Sequence, residues 1–121
     1  MDIDKAFAHV RKIAESTGLP GFEISTSYGT PSLKVAGKFL ARMKDAETLV
    51  VRCPLDEKAM LMEAAPDLFY ETDHYRGYDA LLVRLPAADN ATIAARLTRA
   101  WEMQAPARLR KTANIPSPSG N

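Results

Sequence analysis

Six cations stand out as residues whose types and spacing could do chemistry. Lys34, Arg42, Lys44, Arg52 and Arg84 alternate with apolar residues, and Lys38 lies among them beside Gly37. Alternation on neighbouring strands projects side chains to one side of a pleated sheet, so these five share a face and Lys38 sits at its edge in a hairpin loop. Several cations converging on one surface would hold phosphate groups, because such contacts act additively. The plainer alternative is a solvated charged face that discourages edge pairing. Two observations count against DNA: the net charge is only +1, and the strand pattern puts no aromatic ring on that face for base stacking.

A second candidate is the loop Asp73-His74-Tyr75-Arg76-Gly77-Tyr78. It gathers a carboxylate, an imidazole, a guanidinium and two phenols within six residues. Such a loop could hold an anionic small molecule or a protein partner. As a plain turn, Asp73 would accept backbone hydrogen bonds, Gly77 would supply a positive φ, and the tyrosines would cover a core edge. The two histidines, His9 and His74, have no cysteine pair or acid cluster beside them, so no metal or other cofactor is expected. Cys53 follows inward strand positions and reads as a buried thiol with no base nearby. No nucleophile, base and orienting group fall together, so a binding protein is expected rather than an enzyme.

Charge is unevenly spread. Residues 32–53 carry five bases and two acids, whereas residues 54–80 carry two bases and seven acids. The chain has 121 residues, one cysteine, 46% hydrophobic and 26% charged residues, which suits one soluble domain in a reducing compartment. No apolar run approaches the roughly 20 residues that a membrane helix needs. The first residues do not read as a secretory signal. A cytoplasmic monomer with no membrane partner is the expectation.

The elements that must position these residues follow from periodicity. Ile3, Ala6, Phe7, Val10, Ile13 and Ala14 form one helical stripe, with Asp2 or Asp4 as cap. Phe22, Ile24, Thr26 and Tyr28 alternate with Glu23, Ser25 and Ser27, the pattern of a half-buried strand, and Gly29-Thr30-Pro31 reads as a turn. Hydrophobic consistency then favours a three-residue loop that sets Val35 opposite Phe39, with Leu33, Val35, Phe39, Ala41 and Met43 all inward. A two-residue turn with Val35 opposite Lys38 would put cations on the apolar face. Thr48–Cys53 is a fourth strand, Leu55–Ala64 a helix, Phe69–Thr72 and Ala80–Leu85 strands. A last helix, capped by Asp89 or Asn90, carries Ile93, Ala94, Leu97 and Trp101. Residues 112–121 have the composition of a disordered tail, leaving a domain over 1–111.

The economical packing is α+β: a single antiparallel sheet with the N- and C-terminal helices on one face, and Phe7, Val10, Leu97 and Trp101 meeting in the core. The other face is left open.

Tyr28-Gly29-Thr30-Pro31, Leu33-Lys34-Val35 with Gly37-Lys38-Phe39, Thr48 to Cys53, Thr72 to Tyr78, and Trp101 with Ala105-Pro106 together resemble the MmcQ/YjbR family. The resemblance covers roughly residues 3 to 111. It implies a two-layer fold similar to that of frataxin-like (CyaY-like) proteins, and a "double-wing" DNA-binding role. The acidic ridge that frataxin-like iron binding would need on the first helix is missing, so that function is not carried over. DNA is therefore the first partner expected, through the basic face and hairpin. A protein or an anionic small molecule at the His74–Tyr78 loop is the alternative.

Overall fold

The computed structural model describes residues 2–113. Helix α1 (Ile3–Ser16) starts where the Asp2 carboxylate accepts the Lys5 N–H at 2.8 Å. Its buried stripe is Ala6, Phe7, Val10, Ile13 and Ala14. Four strands follow, β1 (Phe22–Ser27), β2 (Thr30–Val35), β3 (Lys38–Asp45) and β4 (Thr48–Arg52). Then come α2 (Leu55–Ala64), β5 (Phe69–Tyr70), β6 (Ala80–Arg84), α3 (Asn90–Gln104) and a short α4 (Ala107–Thr112). Every strand pair is antiparallel, in the order β1-β2-β3-β4-β6-β5. Phe7, Val10, Leu97 and Trp101 share the main core with the inward residues of the sheet, and Leu61 and Met62 of α2 pack against it. The fold is two-layer α+β. Trp101 is fully buried, and its indole N–H donates to the Pro20 carbonyl at 2.8 Å.

The two hairpin turns differ from the sequence expectation. Val35 pairs with Lys38, so the second hairpin has a two-residue turn, Ala36-Gly37. The first turn is Tyr28-Gly29, with Thr30 already in β2. Tyr28 (φ 53°), Gly29 (79°), Ala36 (49°) and Gly37 (76°) all lie in the left-handed region, the geometry of type I′ turns, whose twist matches that of the strands. Hydrophobic consistency is restored by a bulge instead of a longer loop. Lys34 faces Phe39 while Leu33 faces Ala41, so Leu40 is the extra residue. Leu40 therefore enters the main core, and Phe39 goes to the opposite face. A second irregularity between Met43 and Asp45 leaves Lys44 outside the ladder.

The face away from the helices is only partly open. Val50, Ala80 and Leu82 form a second buried cluster there, packed by Phe39, Tyr70 and Tyr75. The β5–β6 loop thus folds back over the sheet. Unbroken apolar runs, Leu49-Val50-Val51 and Ala80-Leu81-Leu82-Val83, mark strands buried on both sides. At the C-terminal end, Leu109 of α4 presses on Gly21, where an added Cβ would lie 2.9 Å from Leu109 Cδ1. Leu109 and Ala113 pack against the main core. Of the expected tail, Thr112 closes α4, and residues 114–121 lie outside the described residues.

Candidate functional site

The two candidate surfaces meet in one cleft. It has a volume of about 420 Å³ and lies between the β2–β3 hairpin and the loop before β6. Lys34, Arg42 and Arg52 line it from the sheet, and His74, Tyr75 and Tyr78 from the loop. Tyr28 and Phe39 add two further rings. The expectation that this face lacks aromatic rings is therefore overturned. The bulge sends Phe39 there, and the tight first turn lifts Tyr28 out of the strand and leaves it 87% exposed.

Arg42 is the centre of the cleft. One terminal NH2 donates to the Tyr75 hydroxyl at 2.7 Å, and the other to the Thr30 hydroxyl at 3.4 Å. Its guanidinium also lies over the Tyr28 ring, 5.1 Å from the centroid. These partners are neutral. They orient the fork without cancelling its charge, and among the described residues three of its five N–H donors have no acceptor. Lys34 is half-buried beside it, with no ion-pair or hydrogen-bond partner among the described residues. Its cross-strand neighbour Glu23 turns instead to the Gly37 N–H, 3.1 Å away. Arg52 differs: it pairs with Asp79 at 2.7 Å, so its charge is offset, although its buried Nε has no partner among the described residues.

The loop that forms the opposite wall is held by a residue that the pattern of the chain left unremarked. Lys58 of α2 is only 2% exposed. Its ammonium donates to the carbonyls of Tyr75 (2.8 Å) and Tyr78 (2.9 Å) and pairs with Glu71 at 2.7 Å. All three donors are used. A signal was present: Lys58 stands three and four residues before Leu61 and Met62, on the buried stripe of its helix. The rings of the loop pack on one another. His74 meets Tyr75 edge-on at 4.8 Å and lies nearly parallel to Tyr78 at 6.3 Å. Gly77 takes the positive φ expected of it (80°). Asp73 accepts from the Arg76 guanidinium at 2.8 Å, so these two close on each other outside the cleft.

The remaining cations are elsewhere. Lys38 is exposed at the hairpin end, and Lys44 is exposed in its bulge. Arg84 stacks on Tyr70, 4.0 Å from the ring centroid, at a different place on the face. So three of the six basic positions come together and three do not.

His74 has no carboxylate or carbonyl hydrogen-bonded to its ring among the described residues, and His9 bonds Asn90 at 3.0 Å on the helix layer. Among the described residues no three His, Cys, Asp or Glu side chains cluster to hold a metal. Cys53 is buried, and burial pushes its thiol up to about 11. Glu57 does stand 3.7 Å from its sulfur, contrary to the sequence reading, but that carboxylate is committed to Arg96 and Arg99 at 3.1 and 3.3 Å. No helix among the described residues is long and apolar enough to cross a membrane.

Comparison with known proteins adds a family but no ligand. Uncharacterized proteins of Mycobacterium tuberculosis and Mycobacterium bovis are 38% identical to the chain over 52 residues, which is 43% of this chain and 40% of theirs. The match thus spans about two fifths of the length of those curated relatives. No solved structure matches significantly. The YjbR family model matches residues 17–103, a span that holds every strand, the cleft and Lys58, and the chain belongs to the YjbR family.

Proposed function

We propose that the protein is a binding module whose cleft takes a small anion on Arg42 and Lys34. The observation that carries this reading is the state of those two cations. Both are half-buried in one concave site, and neither has a carboxylate partner among the described residues. A cation kept partly out of water without a counter-charge is costly unless something supplies one. The cleft volume, about 420 Å³, falls within the range of small-molecule sites.

Duplex DNA is the weaker reading on this geometry. Arg52 is offset by Asp79, while Lys44 and Arg84 lie outside the cleft, so the described residues of the cleft do not by themselves make a continuous track for a phosphate backbone. Salt separates the two. A backbone meeting four cations would make log affinity fall with log salt at a slope of about −3.6. A small anion in a partly desolvated cleft shows only a shallow dependence. The test is a calorimetric titration of inorganic phosphate and of a duplex oligonucleotide at two salt concentrations, with the parent chain and Arg42→Ala. Phosphate binding that Arg42→Ala weakens at least tenfold supports the proposal. Steep salt-dependent duplex binding, with no response to phosphate, would defeat it.

A further inference from the structure

The rings around the two cations say more than that an anion binds. Resting on the anion reading above, we propose that the ligand is an aromatic phosphate monoester, a flat ring system joined to a dianionic head. The head is set by charge: Arg42 and Lys34 leave two positive charges without counter-charge in one site, which a phosphate monoester matches and a single carboxylate does not. The flat part is set by the walls. Tyr28 is 87% exposed and Tyr78 is 60% exposed, yet both line the same cleft. Large exposed rings beside a cation are the arrangement that receives a stacked π-face.

Tyr28 gives the second, independent observation. It holds a left-handed φ of 53° in a type I′ turn where asparagine or glycine would sit without strain. The turn itself gains nothing from a tyrosine there. What the tyrosine gains is its place: its ring lies 5.1 Å from the Arg42 guanidinium, at the mouth of the cleft.

The test uses the full chain and NMR titration with five probes: adenosine 5′-monophosphate, phenyl phosphate, ribose 5-phosphate, inorganic phosphate and adenosine. The two aromatic phosphates are expected to bind about tenfold more tightly than ribose 5-phosphate or inorganic phosphate, the increment of one stacked ring. Shifts should concentrate on Tyr28, Arg42 and Tyr78. The preference of adenosine 5′-monophosphate over phenyl phosphate then separates a nucleotide from a simpler aryl source. Tyr28→Asn, which the turn accepts, should remove that tenfold increment, so that the aromatic phosphates bind the variant no more tightly than inorganic phosphate does. Equal affinity for inorganic phosphate and both aromatic phosphates overturns this inference while the anion reading stands. Adenosine binding as tightly as its phosphate overturns the anion reading and the inference with it. A single-stranded oligonucleotide that binds far more tightly than the mononucleotide, with a steep salt slope, overturns the inference in favour of a polymer.

Discussion

Two arginine clusters sit on different layers of this molecule, and they are built by opposite rules. On the helix layer, Arg96 and Arg99 of α3 converge on one carboxylate, Glu57, at 3.1 and 3.3 Å, and Arg99 reaches Glu102 at 3.7 Å. On the sheet face, Arg42 is held by a phenol, a hydroxyl and the face of a ring. The first cluster is electrically closed and ties α3 to α2. The second is oriented with equal care but left open. The difference teaches how to tell a scaffold from a site: what matters is whether positioning is done by groups that also cancel the charge.

The largest effect is expected where the open cluster depends on a closed one. Lys58→Met leaves two loop carbonyls without their donor and Glu71 with only Arg76, 3.9 Å away, a loss of at most about 3–5 kcal/mol, the figure for breaking a fully buried pair. A urea melt reads it, and phosphate binding should disappear with it. A variant as stable as the parent would show that the loop does not hang on Lys58. Next come the arginines themselves. Arg42→Ala should change stability by less than about 0.5 kcal/mol while costing ligand affinity, whereas Arg96→Met should cost about 1–2 kcal/mol and leave affinity alone. The same loss from both would erase the distinction between the clusters.

A smaller effect concerns Cys53 beside the closed cluster. Its folded-state pKa of about 11 lies above the ordinary value of 9.0, because burial disfavours the thiolate. Its contribution is fully present below pH 9.0 and is lost as pH rises through about 11, since the unfolded chain ionises first. Ellman's reagent should therefore find the native thiol nearly inert at pH 8, and stability should decline between pH 9 and 11. Fast labelling at pH 8 in the folded protein would contradict this. The smallest effect compares the two type I′ turns. Ala36→Asn and Tyr28→Asn should each raise stability by a few tenths of a kcal/mol by relieving a left-handed φ. Only the second should cost ligand affinity.

Much of the fold was legible because burial imposes a period. The stripes of α1 and α3, the buried Trp101 and the inward residues Leu33, Val35, Ala41 and Met43 were all readable from spacing. What spacing could not show was the bulge. One unpaired residue, Leu40, flips every side chain before it relative to every side chain after it, and parity counted through Phe39 then reports the wrong face. The same error hid Phe39 from the cleft, while Tyr28 was hidden by the tight first turn. Lys34, Arg42 and Arg52 were readable as one set, and the loop as another. Their meeting was not, because it depends on Lys58 folding the loop back over the sheet. That lysine announced itself only by standing on an apolar stripe, where a charge needs a partner that no local pattern names.

The attachment of the loop to α2 has a consequence for how the molecule breathes. One wall of the cleft is fastened to the sheet by Tyr75, among Val50, Ala80 and Leu82, and to a helix by Lys58. Any excursion that lifts α2 also slackens that wall, so the two belong to one cooperative opening unit. A ligand that needs the closed wall must suppress that opening by mass action. A ligand bound in the cleft as proposed is thereby expected to slow the exchange of α2 amides that it does not touch.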